Sequence, residues 1–272
     1  MKGQYRIGIL RQTLRRARLG GPINHWFLNC MGPGREKAAG EFIRRMERTP
    51  DGWEIEIEGV AGTLFAHTAV SRDSICQSLF EQLYPWHWHF YQIPQTKVAE
   101  SDTVLDCGCA EGMFTFLNAA TARRIVSFEP LPDFLDGLQR TFRGNPRISI
   151  VPAALGERRQ TAYLKRAALA SSITLEKTDT EVAITTIDDY CRDHPCEPSY
   201  IKADLEGYEI HMLRGAANTI KRFRPKIAIT TYHAASHARE IEEFLKDLIP
   251  SYRVLTKGIA PDFGTPMMLH AW

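Results

Sequence analysis

The sequence has no CxxC pair among its six cysteines, Cys30, Cys76, Cys107, Cys109, Cys191 and Cys196. That removes zinc-knuckle and thioredoxin-like readings, which depend on this spacing. It has no apolar run approaching the roughly 18 residues that a membrane-spanning helix needs, so no transmembrane segment is expected. It has almost no net charge, 34 Lys+Arg against 32 Asp+Glu giving +2. A dedicated nucleic-acid binder carries a marked basic excess, so nucleic acid is not an expected partner. Internal repeats are absent, which excludes solenoid arrays. The opening stretch MKGQYRIGILRQTLRRARLGG is interrupted by Arg throughout and does not read as a secretory leader. Free thiols and a cytoplasmic location are therefore expected.

What is present is ordinary globular composition, 44% hydrophobic and 24% charged. The small net charge conceals an asymmetry. Residues 1–48 hold 11 basic against 3 acidic side chains, or +8, and residues 49–272 hold 23 against 29, or −6. The first hundred residues read as a mixed α/β extension. It contains a basic amphipathic helix at Arg6–Arg18, a second helix at Glu36–Arg48, an alternating strand at Trp53–Gly59 and its hairpin return at Thr63–Thr68. A helix near Ser74–Leu83 and the aromatic run Trp86–Tyr91 complete it. From residue 101 short apolar strands alternate with helical segments, the rhythm of an open parallel sheet with helices on both faces. The strands are Thr103–Cys107, Ile125–Phe128, Ile148–Val151, Tyr200–Ala203 and Lys226–Thr231. Helices are expected at Met113–Ala122, Pro132–Phe142, Tyr208–Arg222 and His237–Leu248. Tyr252–Thr256 and Met267–Trp272 follow with no helix between them, so they must pair antiparallel or lie apart. The expected division is an extension over 1–100 and a second domain over 101–272.

Four motifs carry chemistry. In Val104–Gly112 a strand enters a glycine turn that opens a helix, with Asp106, Gly108, Ala110 and Gly112 around the turn. A dinucleotide fold wants G-x-G-x-x-G here and would be opposed by an acid beneath the pyrophosphate. Asp106 suits a ligand amine instead, and the helix start suits a carboxylate. An α-amino acid group has both, which points to S-adenosylmethionine rather than NAD. The same loop could also be a tight βα turn with no ligand. Glu129, at the end of the second strand in Phe128-Glu129-Pro130, can accept hydrogen bonds from two ribose hydroxyls. Ala154 lies in Val151–Gly156, where an adenine edge sits in such folds, although a plain strand exit reads equally well. In Tyr200–Glu209, Asp204 and Glu206 are two apart at a strand end and point to one side if the chain is extended. They could cap a helix, hold a cation or move a proton.

These motifs, continued by Thr186–Tyr190 and Leu213-Arg214-Gly215-Ala216, resemble the FkbM family of S-adenosylmethionine-dependent methyltransferases from about Asp102 to the end of the chain. The resemblance implies a class I methyltransferase, a Rossmann-like α/β fold with a mostly parallel seven-stranded sheet and an antiparallel final strand. It also implies O-methylation of a hydroxyl on a saccharide or secondary metabolite, so a small-molecule or glycan acceptor is expected. Two departures stand out. Ile229-Thr230-Thr231-Tyr232-His233 keeps the family's His but not the acid before it, and the glycine loop carries Cys109-Ala110-Glu111.

A hydroxyl acceptor needs a proton acceptor. His233 is the expected base, with Asp204 or Glu206 orienting it or the substrate. Metal assistance through Asp204 and Glu206 stays open, but no third ligand can be placed from sequence, so no metal site is assigned. The alternatives are an NAD-type oxidoreductase on the same frame, or a non-catalytic module docking through its basic arm. That arm leaves peripheral membrane contact open as well.

Overall fold

The computed structural model describes residues 28–29, 32–165, 172–174, 178, 181–260 and 264–272. The helix expected at Arg6–Arg18 lies outside them, as does Cys30. Cys76, Cys107, Cys109, Cys191 and Cys196 are free thiols. No helix among the described residues is long and apolar enough to cross a membrane.

β4 (Thr103–Cys107), β5 (Arg124–Phe128), β6 (Ile148–Val151), β11 (Tyr200–Ala203), β12 (Lys226–Thr230), β13 (Val254–Lys257) and β14 (Met268–Ala271) build a seven-stranded sheet. Its order is β13-β14-β12-β11-β4-β5-β6. Neighbours from β12 to β6 run parallel, while β14 is antiparallel to both β12 and β13. This is the class I methyltransferase-like α/β fold with its reversed ending, as the two consecutive C-terminal strands required.

The parallel strands are buried on both faces, so they read as apolar runs rather than wet alternations. Period-2 alternation still decides which layer each residue joins. Leu105, Val126, Ile201, Ile227 and Ile229 pack with Ile187, Leu213, Ile220, Ile241 and Leu245 on one side. Val104, Ile125, Tyr200 and Ala228 pack with Trp88, Tyr91 and Phe114 on the other. The aromatic run is thus an anchor of the N-terminal segment onto the sheet. It turns through residues 85–91 and is not a strand.

The N-terminal part departs from expectation at one element. Helix α1 covers only Arg35–Gly40, and Ile43–Thr49 is strand β1. β1 pairs antiparallel with β2 (Gly52–Ile57), which pairs with β3 (Leu64–Ala66). The charges that look helical in sequence are cross-strand partners: Arg45 meets Glu54 and Glu56, and Arg44 meets Glu56. Opposite charges across a ladder favour pairing, and here they override helix propensity. The other face of this hairpin sheet, Trp53, Ile55, Ile57 and Leu64, shares a core with Ile75 and Leu79 of α2 (Arg72–Leu83). The same core takes Met113 and Phe116 of α3 (Met113–Asn118) and Leu138 of α4 (Pro132–Thr141).

Two further elements escaped the sequence reading. β7 (Ala154–Leu155), β8 (Gln160–Lys165), β9 (Ser172–Thr174) and β10 (Glu181–Thr185) form a small sheet ordered β7-β10-β8-β9. It leads into α5 (Ile187–Asp193). The single helix expected at Tyr208–Arg222 is two, α6 (Glu209–Arg214) and α7 (Ala217–Phe223). At the break, a Cβ on Gly215 would lie 2.0 Å from the carbonyl oxygen of Gly156. Asp188 accepts from the Asn218 and Thr219 N–H groups at 3.1 and 2.7 Å, capping the new helix. α8 (His237–Leu248) follows β12.

Candidate active site

The register aligns Cys107 with Phe128 and with Ala203, and Ala203 with Ile229. The loops after β4, β5, β11 and β12 therefore leave one edge of the sheet together. Strand order reverses between β4 and β11, and such reversals open a crevice at the carboxyl ends of strands.

On the β4–β5 side, the glycine turn is held by backbone. Gly108 has φ 74°, and a Cβ there would lie 2.0 Å from the carbonyl oxygen of Asp204. Ala110 is also left-handed at φ 48°, and Gly112 at φ 83° precedes α3. Glu129 is buried and secures this turn: its Oε2 accepts from the Ala110 N–H and its Oε1 from the Leu131 N–H, both at 2.9 Å. Burial raises the Glu129 carboxyl to about 7, against the lowering effect of those two N–H groups. Ala154 is buried in β7 beside this loop system. Gly108→Ala should lower the unfolding free energy by more than about 2 kcal/mol, because backbone must move at an already left-handed position. Chemical denaturation checks this, and unchanged stability would show that the two loops are not in contact.

Asp106 has a different environment from the one expected. It is fully buried, its Oδ1 lies 3.0 Å from the Lys202 ammonium, and its Oδ2 accepts from the Thr115 hydroxyl at 2.7 Å. Lys202 also donates to the Gly108 carbonyl at 2.7 Å. Burial opposes the Lys202 charge, but Asp106 and Asp204 hold its pKa above the usual lysine value. The amine at Asp106 is thus the chain's own. Lys202 stands opposite Asp106 in the parallel register, so both side chains leave the same face. The sequence shows Lys202 in the motif, but only strand adjacency reveals the pair.

On the β11–β12 side, Asp204, Glu206 and His233 come together. The reason differs from strand alternation. Glu206 is left-handed (φ 53°) and Gly207 follows at φ 101°, so a turn folds both acids toward β12. His233 Nε2 lies 3.3 Å from Glu206 Oε2 and 3.8 Å from Asp204 Oδ1. Its Nδ1 lies 3.1 Å from Oε1 of Glu209, whose side chain is 0% exposed. Glu209 had no role in the sequence reading, yet it organises the loop. Its Oε1 accepts from the Leu205 N–H at 2.8 Å and lies 3.2 Å from the Thr230 hydroxyl, whose one proton it shares with Asp204, while Oε2 faces His237 Nδ1 at 3.6 Å. Asp204 gains partners that sequence distance hid. The Tyr91 hydroxyl donates to its Oδ2 at 2.9 Å, the Thr230 hydroxyl to its Oδ1 at 3.2 Å, and His89 Nε2 lies 3.6 Å from Oδ2.

These charges weigh against His233 as the base. Burial alone would lower its pKa, but Glu206 and Glu209, with the charge of Asp204, push it up to about 10. A group that already holds a proton at neutral pH does not accept another. Glu206 is correspondingly pulled down by His233, against the effect of burial.

The fold is similar to that of methyltransferase FkbM from Methylobacillus flagellatus KT, at 20% identity and a TM-score of 0.51. The match covers 75% of this chain and spans 56% of that one. Fibrillarin from Aeropyrum pernix, solved with S-adenosyl-L-methionine natively bound, aligns at 13% identity and a TM-score of 0.44, over 84% of this chain and 98% of that chain. No curated protein matches the sequence. Residues 106–251 match the Methyltransferase FkbM domain. That stretch is more than half of the 272 residues and contains both halves of the crevice, so the chain belongs to the FkbM methyltransferase family.

Proposed function

We propose that this protein methylates a hydroxyl of a saccharide or secondary metabolite, using S-adenosylmethionine. One observation carries the reading: the turn held by Glu129 and the carboxylate pocket around Asp204 touch each other at Gly108. A cofactor loop and an acceptor pocket must adjoin in this way for in-line transfer.

The residues present fit the cofactor. Glu129 uses one acceptor position on each oxygen, and a carboxylate offers about four, so capacity remains for ribose hydroxyls. Ala110, Gly108, Gly112 and Ala154 leave small side chains or none around the loop. The amino-acid end of the cofactor falls to main-chain groups of this turn, with Asp106 acting beneath them through Lys202. When bound, S-adenosylmethionine supplies a methyl group already activated on sulfur.

The chain's own task is positioning, worth roughly 7–11 kcal/mol in favourable cases, and handling one proton. Asp204 is fixed by Tyr91 and Thr230 and accepts a hydrogen bond from the acceptor hydroxyl. Asp204 takes that hydroxyl's proton as the oxygen is methylated, and the proton passes to water at the mouth of the pocket, where the Glu206 side chain is 81% exposed. His233 holds the two carboxylates in place.

Calorimetry with S-adenosylhomocysteine and with NAD tests the reading. Binding of the first and not the second supports it, NAD binding alone favours the oxidoreductase, and binding of neither leaves the non-catalytic module. A second expectation concerns pH. With Glu129 titrating at about 7, affinity for S-adenosylhomocysteine should rise about tenfold between pH 6 and pH 8 as the carboxylate ionises. The folded pKa lies above the ordinary carboxylate value, so the stabilising contribution is complete in acid. It is lost as pH rises through about 7. Stability should therefore fall between about pH 4.5 and 7 and level off above, while affinity rises between pH 6 and pH 8. Glu129→Gln should flatten both profiles; an unchanged affinity profile in the variant would remove Glu129 from the cofactor site.

A further inference from the structure

The pocket around Asp204 has more negative charge than its own cations answer. Asp204, Glu206 and Glu209 converge on one imidazole, His233. We propose that Asp204, Glu206 and His233 form a binding site for a divalent transition-metal ion such as Mn2+. Sequence reading placed two acids and lacked the third ligand; the turn at Glu206 and Gly207 brings in His233.

The geometry supports this in two ways. First, one donor atom from each residue lies within 4.8 Å of the others. The separations at His233 Nε2 are 3.3 and 3.8 Å. Bonds of about 2.1 Å give donor–donor edges of roughly 3.0 Å in an octahedral shell and roughly 3.4 Å in a tetrahedral one, close to both separations at Nε2. Second, the histidine is prepared as ligands usually are. A metal-binding imidazole presents one nitrogen to the metal and the other to a carboxylate that fixes its ring. Here Nε2 faces Asp204 and Glu206, and Nδ1 faces the buried Glu209. Neither nitrogen of His233 makes a well-formed hydrogen bond. His89, also buried, flanks the site, with Nε2 3.6 Å from Asp204 Oδ2 and Nδ1 3.6 Å from Glu81 Oε2. One imidazole with two carboxylates suits Mn2+ or Zn2+ better than Mg2+ or Ca2+, which favour all-oxygen shells.

The inference rests on reading this pocket as the acceptor side of the site, where a cation would draw charge from the acceptor oxygen. The metal takes the place of the proton on His233 Nε2, which is released on binding, so the Nε2 lone pair is engaged and His233 is again not the base.

Its test needs no turnover. The full-length protein, stripped with chelator, is titrated with Mn2+ while the electron paramagnetic resonance signal of free Mn2+ is followed. The expected result is loss of signal equivalent to one ion per chain, and its return when Zn2+ is added, because Zn2+ binds such donors more tightly. Asp204→Asn and His233→Asn should each abolish the loss, and Glu209→Gln should weaken binding roughly 10–100-fold. The surface control Glu157→Gln should leave it unchanged. No signal loss with the unaltered protein overturns the proposal, as does a loss that survives in folded Asp204→Asn. S-adenosylhomocysteine binding is measured on the same samples. If it persists when Mn2+ binding is absent, the metal site fails and the methyltransferase reading stands.

Discussion

Lys202→Met should destabilise the protein by about 3–5 kcal/mol, the usual cost of leaving one member of a buried ion pair alone. Asp106 is fully buried, and among the described residues its Oδ1 has the Lys202 ammonium, at 3.0 Å, to answer its charge. Thr115 serves the other oxygen. The substitution also removes the donor to the Gly108 carbonyl, so the cofactor turn loosens with the core. Urea denaturation measures the first effect. Calorimetry with S-adenosylhomocysteine measures the second, which should be a weakening. The double variant Asp106→Leu/Lys202→Met separates stability from function. Replacing both members of a buried pair by apolar groups is often neutral or stabilising, so the double variant should regain most of the lost stability. It should not regain full affinity if the pair sets the turn. A single variant as stable as the parent would mean that Asp106 is not buried as an ion pair.

Asp204→Asn should reduce turnover by about 10²–10⁴-fold, the range for losing a group that handles a proton or developing charge. Its affinity for S-adenosylhomocysteine should change little. The substitution keeps the shape, and Tyr91 and Thr230 can still donate to the remaining carbonyl oxygen. What disappears is the negative charge between His89, His233 and the acceptor. Asp204 packs against the cofactor turn through its backbone carbonyl, so its side chain can be changed without displacing that contact at Gly108. A methylation assay with labelled cofactor and a panel of hydroxylated saccharides and metabolites reads the loss. Turnover within a factor of about three of the parent would take Asp204 out of the proposed mechanism. Tyr91→Phe provides a graded companion. It removes one donor at 2.9 Å and leaves the carboxylate free to rotate, so its loss should be smaller.

The extension explains why its charge was hard to interpret from sequence. Arg44 and Arg45 add to the +8 of the first 48 residues, yet they face Glu54 and Glu56 on the next strand. Tyr91 and His89, also from the first hundred residues, reach Asp204. We read this segment as part of the acceptor pocket, and the domain division at residue 100 as a boundary in sequence rather than in function.

The sequence by itself determined the sheet, because each parallel strand is a short apolar run bounded by turn residues. The reversed ending followed from two strands with no helix between them. Local order along the chain also located the glycine turn, Glu129 and the pair Asp204 and Glu206. Tertiary structure decided what each of these does. Lys202 is four residues from Glu206 in sequence, but the register places it on Asp106. Glu209 looks like an ordinary residue opening a helix, but it is buried between His233 and His237. Tyr91 and Asp204 are 113 residues apart and meet only because Trp88 and Tyr91 dock on the sheet. Even β1, helical by its mixed charges, becomes a strand once Glu54 and Glu56 lie across from it. Periodicity reports burial, which is local. The protonation of His233, the partner of Asp106 and any cation between Asp204 and Glu206 depend on distances of a few ångströms between distant segments, and only the packed chain fixes those.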